Sequence, residues 1–104
     1  MKIQINTGKN VSVSEELRTS LTYLASEGLS RYDDNISRLE VHLSDEDGNK
    51  DGPNDKRCML EARIEGRQPI AVTHHAGTLE EAVNGAIDKL KSSLKTILGR
   101  LMNQ

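Results

Sequence analysis

A chain of 104 residues with a formal charge of −2 and neither Phe nor Trp has room for one domain, its core built from Leu, Ile, Val, Ala and Met with Tyr23 and Tyr32 as the only large rings. The single cysteine, Cys58, excludes an intrachain disulfide and a multi-cysteine zinc site, and fits a reducing cytoplasmic compartment. No apolar run reaches the length of a membrane span, the opening MKIQINTGKN has no signal-peptide core, and the total charge does not advertise a nucleic-acid binder.

Lys2 to Asn6 alternates Ile3 and Ile5 with polar residues, which predicts a short strand with one buried face. Ser12 or Ser14 then caps a helix whose first turn carries Glu15 and Glu16, favourable beside the positive N-terminus. Its apolar stripe is Leu17, Leu21, Leu24, Ala25, Leu29 and Tyr32. Gly28 weakens the end of this helix by ~1 kcal/mol relative to Ala. Ile36 to Ser44 reads as a strand, with Leu39, Val41 and Leu43 opposite Glu40, His42 and Ser44. Lys56 to Gly66 is a second, with Cys58, Leu60, Ala62 and Ile64 opposite Met59, Glu61, Arg63 and Glu65. Gly66 to Pro69 supplies a turn, and Pro69 to His75 is a third run with Ile70, Val72 and His74 on one face. These three make an antiparallel meander with one wet face. Thr78 opens T-L-E-E, a capping box with Glu81. Leu79, Val83, Ala86, Ile87, Leu90, Leu94, Ile97, Leu98 and Leu101 follow as the stripe of a long helix. The order β-α-β-β-β-α predicts one α+β domain over 1–104, a four-stranded sheet with two helices packed on one face.

Charge is unevenly spread. Asp45, Glu46, Asp47, Asp51 and Asp55 face only Lys50 between Ser44 and Asp55, a net −4. Lys89, Lys91, Lys95 and Arg100 face only Asp88 from there to the end, a net +3.

Three places invite a chemical reading. His74 and His75 are neighbours on a strand, so their rings point to opposite faces and do not grip one ion. With only His42 and Cys58 as further donors, they are read as a strand end and not as a zinc site. Cys58 sits in an apolar alternation that suits a buried, inert thiol better than a nucleophile. Asp47-Gly-Asn49-Lys-Asp51-Gly52 fits the opening of a calcium loop. Its twelfth position is Cys58 where a bidentate Glu belongs, and its flanks are strands, so a solvated hairpin loop is the better reading. The lysines of the last helix lie off the apolar stripe. They serve either as phosphate contacts or as favourable cations near a helix C-terminus. Arg57, Arg63 and Arg67 add charge on or beside the third strand.

The whole pattern resembles the ribosome hibernation-promoting factors, the family that includes the ribosome-associated inhibitor and the sigma-54 modulation proteins. The resemblance rests on the element order, on YDDNISRLEVHLS (Tyr32 to Ser44) and on TLEEAVNGAIDKLKSSL (Thr78 to Leu94), most specifically Ala86-Ile87-Asp88-Lys89-Leu90. It covers essentially the full chain, which looks like a short form without the extra dimerisation domain of long members. It implies a non-enzymatic, cytoplasmic factor without cofactor or metal. Such a factor binds the small ribosomal subunit through rRNA phosphates and fills the mRNA and tRNA channel in starved or resting cells. It implies no membrane or DNA partner, and a monomer is favoured. On this reading Lys89, Lys91, Lys95 and Arg100, with Arg18 and Arg31, carry the rRNA contacts. The helices hold less positive charge than is common in the family: Ser92, Ser93 and Thr96 in the second, and Leu24, Ser26 and Glu27 in the first. Two rivals differ in class. One is a module of the same fold that recognises a protein through the acidic loop or wet sheet face. The other is a metalloprotein using His42, Cys58, His74 and His75.

Overall fold

The structure, a computed structural model, describes residues 1–8, 11–46 and 55–102, with side chains as far as Gly99. The alternation of Ile3 and Ile5 lies on strand β1 (Lys2–Thr7). Helix α1 (Glu15–Gly28) follows; of the two candidate caps Ser14 is the one used, its Oγ accepting the Leu17 N–H at 3.0 Å. α1 carries the chain to β2 (Ile36–Asp45), which pairs with β1 in parallel. A parallel pair requires a crossover of this kind because no hairpin joins it. β3 (Lys56–Ile64) and β4 (Ile70–Ala76) then add in antiparallel fashion, giving one four-stranded sheet in the order β1-β2-β3-β4. Helix α2 (Leu79–Met102) closes the chain. The α+β fold of the sequence reading is therefore the fold observed.

Two boundaries differ from the sequence reading. α1 ends at Gly28, and the last part of its apolar stripe continues through a 3₁₀ turn, Ser30–Tyr32, in which Tyr32 is buried. The tighter turn keeps side chains three residues apart on one side, so Leu29 and Tyr32 still reach the core. In β2, Ile36 and Leu39 are both buried although three residues apart. The register explains this: Ile36 pairs with Ile64 and Arg38 with Arg63, so Ser37 is an extra residue and the strand bulges there.

The core is the inner face of the sheet against the two helical stripes. Leu39, Val41, Leu43, Cys58, Leu60 and Ala62 from the sheet meet Leu21, Ala25, Val83, Ala86, Leu90 and Leu94 from the helices, all buried. Two glycines set how closely the layers approach. A Cβ on Gly28 would lie 2.8 Å from Ile87 Cγ2, so Gly28 is where α1 and α2 pack together. That close approach is the compensation for its poor helix propensity. A Cβ on Gly85 would fall within the His74 ring, so α2 rests on β4 at that point.

At the end of the sheet where β2 stops and β3 begins, the two strands are tied together. Lys56 Nζ donates to Asp45 Oδ2 at 2.9 Å and Asp55 Oδ2 at 3.3 Å, both carboxylates being largely buried. The bond to Asp45 raises the Lys56 pKa above its ordinary value. The calcium-like run Asp47 to Gly52 lies outside the described residues.

Candidate nucleic-acid interface

The histidines answer their own question. Cys58 pairs with His74 in the β3–β4 register and Arg57 with His75, so successive histidines take opposite faces. His74 lies beneath α2 against Gly85. His75 stands on the outer face, its Nε2 3.1 Å from Glu46 Oε1, with Arg57 Nε 3.5 Å from the same oxygen. His42 is also on the outer face, 3.5 Å from Glu40. Among the described residues no three His, Cys, Asp or Glu side chains are grouped to hold a metal. Cys58 is fully buried, and that burial pushes its thiol up to about 12, so it stays protonated near neutral pH.

Of the six cations singled out in the sequence, the five whose side chains are described fall at three places across the helical layer. Arg31, just past α1, meets Lys91 and Lys95 of α2 in one groove of about 420 Å³, whose walls also include Glu27, Ser30 and Ser92. Lys91 and Lys95 are four residues apart and so share one side of α2. Arg31 is brought to them by the close packing of Gly28 on Ile87. All three are exposed, and among the described residues none makes an ion pair or side-chain hydrogen bond.

Lys89 and Arg18 lie on either flank of this groove. Two residues from Lys91 is about 200° around a helix, so Lys89 faces the β4 edge. Its Nζ donates to Thr73 O at 2.7 Å. Arg18 Nη1 donates to Ile5 O at 3.1 Å, on the β1 edge. Each edge strand thus has a carbonyl covered by a helix-borne cation, which blunts it against pairing with another strand. The remaining donors of Lys89 and Arg18 are uncommitted by these bonds. The Arg100 side chain lies outside the described residues.

The strand arginines do not join this surface. Arg57 and Arg63 point to the outer face of the sheet, away from the helices, and Glu61 stands between them on the same side. Arg57 is also paired with Glu46. Sequence reading took Glu27 only as a loss of positive charge on the first helix and missed its partner Tyr23, which lies beside the groove and not in it. Glu27 brings a carboxylate, and Tyr23, one turn earlier, donates its hydroxyl to Glu27 Oε1 at 3.0 Å. The i,i+4 spacing of Tyr23 and Glu27 was the available signal. That bond, and then the carboxylate's charge, raise the Tyr23 pKa.

A larger concavity of about 890 Å³ lies under the second half of α2, walled by Ile64, Pro69, Ile70, Leu94, Ile97 and Leu98. Among the described residues of its wall, Arg67 is the one ionisable group.

The chain is thus a β-α-β-β-β-α domain with a cationic groove where its helices pack. The profile of the family described as Sigma 54 modulation protein / S30EA ribosomal protein matches residues 4–102, and the chain belongs to that family. Curated proteins offer no match. Among solved structures, the N-terminal domain of Protein Y from Thermus thermophilus is similar at 22% identity and a TM-score of 0.72, over 93% of this chain and 99% of that one. A ribosomal subunit interface protein from Coxiella burnetii is similar at 22% identity and a TM-score of 0.73, over 95% of this chain and 99% of that one. At this identity the two likenesses speak for the fold. No helix among the described residues is long and apolar enough to cross a membrane.

Proposed function

We propose that this protein is a translation-silencing factor of the cytoplasm that lodges, as a monomer, in the mRNA and tRNA channel of the small ribosomal subunit under stress or starvation. Its contacts are rRNA phosphates, and it performs no catalysis and needs no cofactor. The observation that carries the reading is the meeting of Arg31, Lys91 and Lys95 in one groove. A chain with a total charge of −2 concentrates, where the two helices pack, three cations that have no ion-pair partner among the described residues. Phosphate contacts of this kind position a protein without reading sequence, which suits a domain that acts by filling space. Lys89 and Arg18 extend the contact to either flank with the donors left over from the sheet edges, and Arg100 is kept as a further phosphate contact on the family resemblance alone. Family membership and the named subunit interface protein support the partner.

The test is pelleting with purified small subunits at low salt, alone and after loading with mRNA and tRNA. The expected result is co-sedimentation that prior loading prevents. Protein left in the supernatant overturns the reading and favours a protein-binding module of the same fold. Binding indifferent to mRNA and tRNA moves the site out of the channel.

A further inference from the structure

Beside the cationic groove, α1 carries a patch of different chemistry. Tyr23 is the one large hydrophobic side chain left in water among the described residues, at 64% exposure. It walls a shallow dent of about 460 Å³ with Arg18, Thr19, Thr22 and Ser26. Among the described residues, its walls other than Tyr23 hold three hydroxyls and one cation but no carboxylate. The ring is not loose: its hydroxyl donates to Glu27 Oε1 at 3.0 Å. Glu27 in turn lines the groove of Arg31, Lys91 and Lys95. Four helical residues separate Tyr23 from Glu27, a rise of about 6 Å, so ring and groove are adjacent stations along one helix.

We propose that Tyr23 is a stacking platform for an unpaired nucleobase of the RNA whose phosphates enter the neighbouring groove. The inference rests on the reading above that the partner is RNA, and deepens it by naming single-stranded RNA as what this edge meets. A tethered, largely exposed ring offers a base its π-face at little entropic cost. The hydroxyls of Thr19 and Ser26 suit ribose and base edges, being both donors and acceptors. The bond to Glu27 gives the ring a second effect: it occupies an oxygen of the one carboxylate in the cationic groove.

Intrinsic tyrosine emission reads the proposal directly, because the chain has no Trp and Tyr32 is buried. The probes are an unstructured octaribonucleotide of mixed sequence and an abasic ribose-phosphate oligomer of the same length. The expected result is quenching by the first and weaker binding of the second. Tyr23→Ser should lose about 5-fold or more in affinity for the octaribonucleotide, the lower range for one base–aromatic stack, with an unchanged salt slope and melting temperature. Tyr23→Phe, which keeps the π-face but loses the tether to Glu27, should bind more tightly than Tyr23→Ser and no more tightly than wild type. Equal binding of the two oligomers by wild type, equal binding of the octaribonucleotide by wild type and Tyr23→Ser, or no binding by wild type each overturns the proposal. Pelleting with small subunits separates the two claims. Pelleting of wild type that Tyr23→Ser leaves intact sinks the stack and spares the ribosome reading. Failure to pellet, with stacking on the octaribonucleotide preserved, does the reverse.

Discussion

Replacing Gly85 with alanine should destabilise the protein, although alanine is the better helix former. Propensity alone predicts a gain of about 1 kcal/mol for this change inside a helix. The new methyl group would fall within the His74 ring, which lies between β4 and α2. Either the imidazole leaves its rotamer or α2 lifts from the sheet, and overpacking of that kind costs about 1–3 kcal/mol. The steric term wins because α2 is anchored on both sides of Gly85, by buried Val83 and Ala82 before it and buried Ala86 and Ile87 after it. The helix cannot lift locally without uncovering Leu60 and Leu90. An overlap this severe belongs in the upper part of that range, about 2–3 kcal/mol, and less the propensity gain of about 1 kcal/mol the net loss of about 1–2 kcal/mol lowers the melting temperature by roughly 4–16 °C in a domain of this size. Urea and thermal unfolding followed by far-ultraviolet circular dichroism measure it. The pair His74→Ala with Gly85→Ala should recover most of the loss, since the second methyl then enters space vacated by the ring. A Gly85→Ala protein as stable as wild type or more so, or a double variant no better than Gly85→Ala, would refute the packing argument.

Cys58 gives a pH prediction. An unfolded thiol ionises near pH ~8.5, whereas in the fold it holds its proton to about 12. The buried thiol therefore costs nothing below pH ~8.5, and stability falls as pH rises from there towards 12, about 2 kcal/mol being lost by pH 10. Cys58→Ala should be less stable than wild type at pH 7 but lose less between pH 7 and 10, read as urea midpoints. The capping hydroxyls of Ser14 and Thr78 accept N–H groups at 3.0 and 3.1 Å. Changing either to alanine should cost ~1 kcal/mol, and an effect under a few tenths would mean the helix ends fray in solution. Lys89 has one donor on Thr73 O, so Lys89→Gln should flatten the salt dependence of RNA binding less than Lys91→Gln. The reverse order would show that Lys89 leaves the sheet edge to bind.

Much of the fold was legible because it rests on periodicity. Leu39, Val41 and Leu43 alternate with polar residues, and the stripe from Leu79 to Leu98 repeats at helical spacing, so the inner face of each element followed directly. Ile36 is out of phase with that alternation, and only the pairing with Ile64 reveals the bulge that restores it. The parallel docking of β1 on β2 was not legible either, since Ile3 and Ile5 fix which face is buried and not which neighbour is paired. For the site, the separation of Lys89 from Lys91 was implicit in the turn of a helix. The convergence of Arg31 with Lys91 and Lys95 was not, because it depends on Gly28 letting α1 settle against Ile87, a contact between residues far apart in the chain. The dispersal of Arg57 and Arg63 to the face away from the helices was legible, because the alternation of β3 already sets Arg63, and by parity Arg57, opposite the buried Cys58, Leu60, Ala62 and Ile64.

Attachment to RNA is governed, on the function proposed above, by a cationic groove of three side chains. The affinity for small subunits, measured across a series of salt concentrations for wild type and for Arg31→Gln, Lys91→Gln and Lys95→Gln combined, tests it most directly. The slope of log affinity against log salt should flatten by about 2–3 when three phosphate contacts are removed. A triple variant with the wild-type slope would contradict it.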